Sequence, residues 1–511
     1  MTALEILIWH DADAAALGAT RATVAADGSQ QLRVTEVAAG DLARAVNDTD
    51  ARFVMPLAAG VRFSPLGLRD LTELAASTDS GIAYTDHASG IAPDQVAHFK
   101  PAWSPDRLRS HDYLGPAVMF GSDALRAAGG FGAAAPAEAR IDAVWRIVEA
   151  GATVAHLPHI TMVSDDVASA ADHLAATIAH AERVGFPGDC AIDAATGATR
   201  ITPRLPAEPY VSIIMPTAGA TADVQGASRC LAVEAVRSIT AETAYDNYEV
   251  LAVIDAASPD GLAAQLTALG ARTIENDSPF NFSGACNLGV SYSRGEIIVL
   301  LNDDTEVLDG DWLARLVMHL HDPDVGAVGP KLLYEDGTVQ HAGLLGRHGT
   351  IRHRYLGAGP DEPGYGGYLR NVVTVGAATG ACLAVRLEDY LDVGGLHLGF
   401  PRNYNDVDLC MKLRMHGKRI VVDNHTSMRH LESKTRTPSM HAWEDVAAQA
   451  RWEQWLRFDP YDNPGFELDG FDDAPVPVDE HLEALRHDMR QPVRVLPSAA
   501  RTPATTVIVE A

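Results

Sequence analysis

Gly295-Glu296-Ile297-Ile298-Val299-Leu300-Leu301-Asn302-Asp303-Asp304-Thr305-Glu306 decides how this chain is read. Its branched apolar run is too short for a helix and suits a strand buried on both faces. The run drives straight into two adjacent carboxylates. In an open α/β sheet, ligands gather beyond the carboxyl ends of the strands, so Asp303 and Asp304 stand where chemistry is done. Paired acids there can seat a hard divalent cation, which prefers oxygen ligands and can bridge a phosphate.

Outward from that stretch, strands and helices alternate. Tyr210-Val211-Ser212-Ile213-Ile214-Met215-Pro216-Thr217 reads as a buried strand, residues 230–239 carry helical spacing, and residues 248–255 form a second strand ending on Asp255. A helix is expected over residues 406–416 and a strand over 419–422. Residues 340–370 are rich in Gly, His and Arg, as a mobile active-site loop would be. The first part of the chain alternates in the same way, with strands expected at residues 5–9, 52–57 and 81–86 and a helix near 66–76. The fold class is therefore α/β, with two mostly parallel, Rossmann-like sheets in tandem. The expected divisions are a domain over 1–165, a helix and Pro-rich linker over 166–209, and a second domain over 210–436. A helical extension over 437–490 and a loose tail over 491–511 follow.

The two halves repeat. Laying residues 141–154 on 407–420 without gaps puts Arg140 opposite Asp406 and Ser164 opposite His430. Laying Leu57 on Leu301 puts Gly60 opposite Asp304. The first half thus keeps a scaffold and lacks the ionisable groups, as a degenerate copy would.

Composition narrows the partners. A net charge of -28 excludes a sizeable nucleic-acid interface, which needs Lys and Arg against phosphates, and a polybasic hold on anionic lipid. Arg352, His353 and Arg354 are the best local basic pocket. The five cysteines, at 190, 230, 286, 382 and 410, show no Cys-x-x-Cys spacing, so neither a disulfide framework nor a zinc site is indicated. With no basic-headed apolar leader and no run of roughly 20 apolar residues, a cytoplasmic protein is expected, at most peripheral at the inner face of the plasma membrane. Oligomeric state is left open.

Several further motifs occur in a fixed order: Pro279-Phe280-Asn281-Phe282-Ser283 with Asn287-Leu288-Gly289, Gln340-His341-Ala342-Gly343, Thr379-Gly380-Ala381, Asn405-Asp406-Val407-Asp408, His430 through Arg436, and Asp459-Pro460-Tyr461-Asp462-Asn463-Pro464. With residues 211–217 and 301–307 they make residues 210–436 resemble the inverting family 2 glycosyltransferases of GT-A fold, most closely the bacterial cell-surface polysaccharide, rhamnosyltransferase-like subgroup. Residues 99–106 are similar to a segment of the same family.

The resemblance implies transfer of a sugar from a UDP-, GDP- or dTDP-linked donor to a saccharide acceptor, lipid-linked in that subgroup, with Mn²⁺ or Mg²⁺ as cofactor. It implies Asp304 as chief metal ligand and His430 as a further one. Asn302 replaces the family's first Asp, so whether Asn302 or Asp303 assists stays open. Asp406, at a helix start that stabilises an anion, is implied as general base. Thr217, Asp255, Asn287, Gly289 and Asn302 match donor-binding positions, and Thr379, Gly380, Asn405 and Asp408 border the acceptor. Arg436 either holds the diphosphate or makes a surface salt bridge. The rival is a pseudo-glycosyltransferase that binds or scaffolds saccharide without turnover. A sugar nucleotidyltransferase would need a Gly-rich basic signature that Met215-Pro216-Thr217-Ala218-Gly219 lacks.

Overall fold

Ile297–Leu301 is a strand with every residue buried, and alternate side chains enter different cores. Val299 and Leu301 face one hydrophobic cluster, Ile298 and Leu300 the other. Two-sided burial is what a near-continuous branched run is suited to. Fully burying each such side chain contributes about 1.5–3 kcal/mol.

The computed structural model describes residues 2–11, 14–24, 31–224, 226–431, 442–467, 472–486, 493–496 and 507–509. Two compact units form. Unit 1 takes Met1–Gly185, Cys190–Ile201 and Pro460–Ala511, and unit 2 takes Phe186–Asp189 and Thr202–Asp459. Among the described residues, no helix is long and apolar enough to cross a membrane, and none of the five cysteines forms a disulfide.

Each unit is built on one mixed sheet with helices. In unit 2 the strand order is Arg272–Asn276, Tyr248–Asp255, Val211–Thr217, Ile297–Leu301, Cys382–Arg386, Val325–Leu333, Arg419–His430, Thr305–Val307. The first four are parallel, and antiparallel pairs enter from Cys382–Arg386 onward. In unit 1 the order Leu32–Ala38, Leu4–His10, Phe53–Ala58, Val118–Gly121, Ile82–Ser89, Val154–Val163 repeats this path in the same chain sequence and the same directions.

The registers can be compared residue by residue. Leu4 lies opposite Phe53 as Val211 lies opposite Ile297, so Leu57 falls on Leu301 and Gly60 on Asp304. Ile82 bridges Phe120 and Val154 as Ala327 bridges Val385 and Ile420, which fixes Val154 on Ile420. Beyond that point the gap-free alignment is regained at the strand end. The irregularity in Arg419–His430 skips residues 424–426, and Val154–Val163 skips the same number, 158, 159 and 161. Ala88 then lies opposite Val163 as Leu333 lies opposite Arg429, so Ser164 holds the place of His430, and the pairings Arg62 with Val163 and Glu306 with Arg429 agree.

Three expected boundaries differ. The helix Ala170–Val184, expected as linker, packs in unit 1: His180 stacks on Trp145 at 3.7 Å between ring centroids and bonds Glu149 at 2.8 Å. The expected extension is divided. Helix Ala442–Arg457 stays with unit 2, while residues from Pro460 onward return to unit 1. The expected loop over 340–370 contains a hairpin of Leu344–Arg347 with Thr350–His353, and a short 3₁₀ segment.

The returning segment closes a buried polar cluster. Asn463 Nδ2 donates to Asp86 Oδ2 and to the Lys100 carbonyl, both at 2.8 Å. Lys100 Nζ donates to the Thr85 carbonyl at 2.6 Å and to the Leu114 carbonyl. Asp86 Oδ1 meets His156 Nε2 at 3.0 Å. Burial holds the Lys100 ammonium at about 7, against the opposing charge of Asp86. An unfolded lysine titrates near 10.4. Between those values the unfolded chain binds more protons than the folded one, so unit 1 gains stability as pH rises. Thermal unfolding of the full chain should show its unit 1 transition climbing from about pH 7 to about pH 9, with Lys100→Met flattening that slope. Asn463→Ala should cost unit 1 about 1–3 kcal/mol by leaving the Asp86 carboxylate and a carbonyl short of a donor.

Candidate active site

The parallel strands of unit 2 end side by side, and their last residues line a cleft of about 420 Å³. Thr217, Asp255 and Asn276 come from strand ends, and Asn302, Asp303 and Asp304 from the turn after Ile297–Leu301. Thr379, Gly380, Asn405 and Asp406 line the same cleft, with Gln340, His353 and His430.

Asp303 faces the first strand. Its Oδ2 accepts from the Thr217 hydroxyl at 2.6 Å, and the Thr217 oxygen also accepts from the Gly219 amide at 2.9 Å. Burial, with the adjacent Asp304 carboxylate adding to it, pushes the Asp303 carboxyl up to about 6 against the Thr217 bond. This is an acceptor suited to a hydroxyl group; the turn aims Asp303 at Thr217 while Asp304 meets His430.

Asp304 and His430 are brought together by backbone pairing. Thr305 lies opposite His430 in the sheet, and the Leu431 amide donates to the Asp304 carbonyl at 2.9 Å. Asp304 Oδ1 then sits 3.0 Å from His430 Nε2. On the other side of the ring, His430 Nδ1 is 2.7 Å from Gln340 Oε1, an acceptor, which puts the imidazole proton on Nδ1. In the neutral ring Nε2 then presents a lone pair, 3.2 Å from the Asn302 amide nitrogen. Asp304 Oδ1 is buried without a hydrogen-bond donor. Two electron pairs facing each other in a buried place are repulsive as they stand and are satisfied by a cation. Among the described residues no group of three or more His, Cys, Asp or Glu forms a complete metal cage. Asp304 and His430 could supply only part of a cation's shell, the remainder falling to a ligand's oxygens.

The opposite wall carries Asp406. Helix Asn405–Met415 begins beside it, after Tyr404 at φ 61°. Asp406 Oδ2 accepts from the Gly380 amide at 2.9 Å and Oδ1 from the Val407 amide at 2.8 Å. A Cβ on Gly380 would stand 3.3 Å from that of Asp406, so the absence of a side chain brings the backbone donor into reach. Thr379 donates its amide to His341 Nε2 at 3.3 Å. His341, kept neutral by burial and by the neighbouring His353, then passes its Nδ1 proton toward His353 Nδ1 at 2.9 Å.

Three expected contacts lie elsewhere. Asn287 is a clamp: its side chain binds the Leu396 carbonyl at 2.8 Å, the Leu396 amide at 3.0 Å and the Tyr390 hydroxyl at 2.6 Å. Gly289 is a packing glycine, since a Cβ there would meet Ile214 Cγ2 at 2.4 Å and Val253 Cγ2 at 2.9 Å. Asp408, fully buried, fastens helix Ala442–Arg457 through Trp452 Nε1 at 3.0 Å and Arg451 Nε at 2.8 Å, and pairs with Lys412 at 3.2 Å. Arg436 lies outside the described residues. Conversely, Asn276, Phe280, Gln340 and Arg402 line the cleft without having been singled out as site residues, as does His353, which was named only with the basic pocket. Gln340 and Phe280 do fall inside motifs quoted above.

Residues 212–373 match the family described as "Glycosyl transferase family 2". "O-antigen biosynthesis protein RfbC" of Myxococcus xanthus is 31% identical over 504 residues, covering 92% of this chain and 38% of that protein. "Uncharacterized protein y4gI" of Sinorhizobium fredii (strain NBRC 101917 / NGR234) is 31% identical over 431 residues, covering 77% of this chain and 46% of that protein. The chain spans less than half the length of these two relatives. Solved structures resemble it in part. GalNAc-T7 with UDP, GalNAc and Mn²⁺ aligns over 50% of each chain at 13% identity and TM-score 0.40. Mannosyltransferase PcManGT from Pyrobaculum calidifontis with GDP-Man and Mn²⁺ aligns over 60% of this chain and 74% of its own, at 21% identity and TM-score 0.34.

The two aspartates of the helix Asn405–Met415 should separate in a stability measurement. Asp408→Asn breaks a buried ion pair and should cost about 3 kcal/mol in denaturant unfolding of unit 2. Asp406→Asn, on the cleft wall, should stay within about 1 kcal/mol of the parent protein.

Proposed function

From the premise that residues 212–373 are a glycosyl transferase family 2 domain, we propose that unit 2 is a metal-dependent inverting glycosyltransferase. It moves a sugar from a nucleotide-linked donor to a saccharide acceptor in assembly of a bacterial surface polysaccharide. The observation that carries the reading is the donorless Asp304 Oδ1 set 3.0 Å from His430 Nε2, in a cleft that also holds Asp406. The relative described as an O-antigen biosynthesis protein supports the polysaccharide setting. A lipid-linked acceptor and a place at the inner membrane face belong to the same proposal.

Thr217, Asp255, Asn276 and Asp303 take the nucleoside: their hydroxyl, carboxylate and amide groups offer acceptors and donors to base and ribose. Asp304 and His430 hold the cation, with Gln340 fixing the imidazole so that Nε2 points inward. A divalent ion bound there offsets the charge that develops on the leaving diphosphate. An imidazole ligand favours Mn²⁺ over Mg²⁺.

Asp406 acts on the acceptor. Its oxygens are oriented by the Gly380 and Val407 amides and keep further lone pairs for an incoming hydroxyl proton. The acceptor oxygen bonds the anomeric carbon as the bond from that carbon to the diphosphate oxygen breaks. The electron pair leaves with the diphosphate and the proton goes to Asp406. One displacement inverts the centre and requires no enzyme nucleophile.

Unit 1 suits the second reading, a saccharide-binding or scaffolding copy without turnover. By register it has Ala58, Ala59 and Gly60 where unit 2 has Asn302, Asp303 and Asp304, and Ser164 in place of His430. Arg140, at the Asp406 position, is occupied by Asp112 at 2.9 Å.

Isothermal titration with Mn²⁺ and UDP, GDP or dTDP tests the assignments. Asp304→Ala should weaken the metal-dependent nucleotide affinity by at least about tenfold. Asp406→Asn should keep that affinity and abolish transfer. Nucleotide affinity unchanged in the first variant, or lost in the second, reverses the roles.

A further inference from the structure

Arg402 is the one arginine or lysine lining the cleft among the described residues, and the cleft otherwise gathers Asp255, Asp303, Asp304 and Asp406. Its guanidinium lies over the Phe280 ring, 4.7 Å from the centroid, and no carboxylate of the described residues pairs with it. Many other arginines of unit 2 are ion-paired, among them Arg386 with Asp389 at 2.5 Å and Arg419 with Asp322 at 2.9 Å. In a chain with 68 acidic residues against 40 Lys and Arg, a cation facing a ligand cleft without a carboxylate partner calls for an explanation.

Both members of the pair stand on stitched backbone. Beside Phe280, Asn281 donates to the Leu398 carbonyl at 3.0 Å, Phe282 to the Pro401 carbonyl at 2.9 Å, and Ser283 to the Phe400 carbonyl at 2.7 Å. From the other side, Glu444 Oε1 accepts from the Arg402 and Asn403 amides, each at 3.1 Å. The Phe280 ring stays 52% exposed although its neighbours are fixed. An exposed aromatic and a cation held this way form a preorganised surface, on which a ligand loses little by ordering side chains.

Resting on the transferase reading above, we propose that Phe280 and Arg402 form an acceptor subsite for a saccharide bearing a negative charge. Phe280 takes the apolar face of a sugar ring, and Arg402 binds a carboxylate or phosphate oxygen through charge-assisted hydrogen bonds. The placement favours the acceptor: Arg402 precedes Asp406 on the segment leading into its helix, whereas the pair assigned to the donor diphosphate, Asp304 and His430, comes from the turn after Ile297–Leu301 and the end of Arg419–His430. The charge belongs either to an acidic sugar or to a diphosphate through which the acceptor is tethered. The anion chemistry is shared by both.

Affinity of the full chain for three probes distinguishes them: methyl glucuronide, methyl glucoside, and N-acetylglucosamine linked to a short prenyl diphosphate. Each is read by saturation-transfer NMR with and without Mn²⁺ and nucleoside diphosphate. At least one anionic probe should bind about tenfold or more tightly than the glucoside, and which one does identifies the source of the charge. Arg402→Gln should abolish that preference, Arg402→Lys should restore part of it, and Phe280→Leu should weaken all bound probes alike. Nucleotide affinity and thermal midpoint should stay at the parent values in Arg402→Gln. The proposal is overturned if neither anionic probe outbinds the glucoside at its solubility limit, or if Arg402→Gln weakens the nucleoside diphosphate itself. A parent protein that binds no nucleotide with Mn²⁺ would instead refute the transferase reading, and the nucleotide-free arms still decide the charge preference.

Discussion

Everything at the cleft depends on an unfavourable confrontation between Asp304 Oδ1 and His430 Nε2, held at 3.0 Å with the ring proton committed to Gln340. Left alone, the two electron pairs repel in a place where water cannot screen them. The sheet sustains the arrangement because Thr305 and His430 are backbone partners and Leu431 is bonded to the Asp304 carbonyl. The core beneath, with Leu301 and Met428 fully buried, prevents either strand from relaxing away. Stability invested in the core is thus converted into a position that only a positive charge makes comfortable, a common arrangement at functional sites.

The two sheets make an internal comparison within one chain. Both follow the same strand path, and packing alone is enough to explain that. They differ where chemistry would be done. Unit 1 fills the corresponding positions with small or apolar residues, or with Arg140 tied to Asp112. Its own polar residues are turned inward instead, into the Asp86, Lys100, His156 and Asn463 cluster. One scaffold exposes its charges to a cleft and the other buries them.

Much of this was legible in the sequence because a few residue types fix both structure and chemistry. The apolar run before Asp303 and Asp304 announced a buried strand end, and Asp406 stood at a recognisable helix start. The misplacements have physical causes. Asp408 follows Asp406 by two residues, about 200° around a helix, so the two face opposite ways. That period, applied to the motif, would have sent Asp408 to the interior. Asn287 and Gly289 satisfy motif spacing yet serve packing, which spacing does not reveal. The segment over 340–370 looked like a loop from its glycines. In fact His348 at φ 54° and Gly349 at φ 80° make the tight turn of a hairpin, the sort of x-Gly signal that marks paired strands. The turn brings His353 to the cleft wall.

Asn463 has a consequence for how the chain is made. Unit 1 begins before unit 2 in the chain, yet its Asp86 and Lys100 cluster is closed by a residue synthesised 377 positions after Asp86. During translation, nearly all of unit 2 leaves the ribosome before that amide becomes available. The nascent lobe must wait with a carboxylate and a carbonyl short of their last donor, a partly finished interior of the kind that recruits chaperones. Of the two lobes, the one begun earlier is completed later.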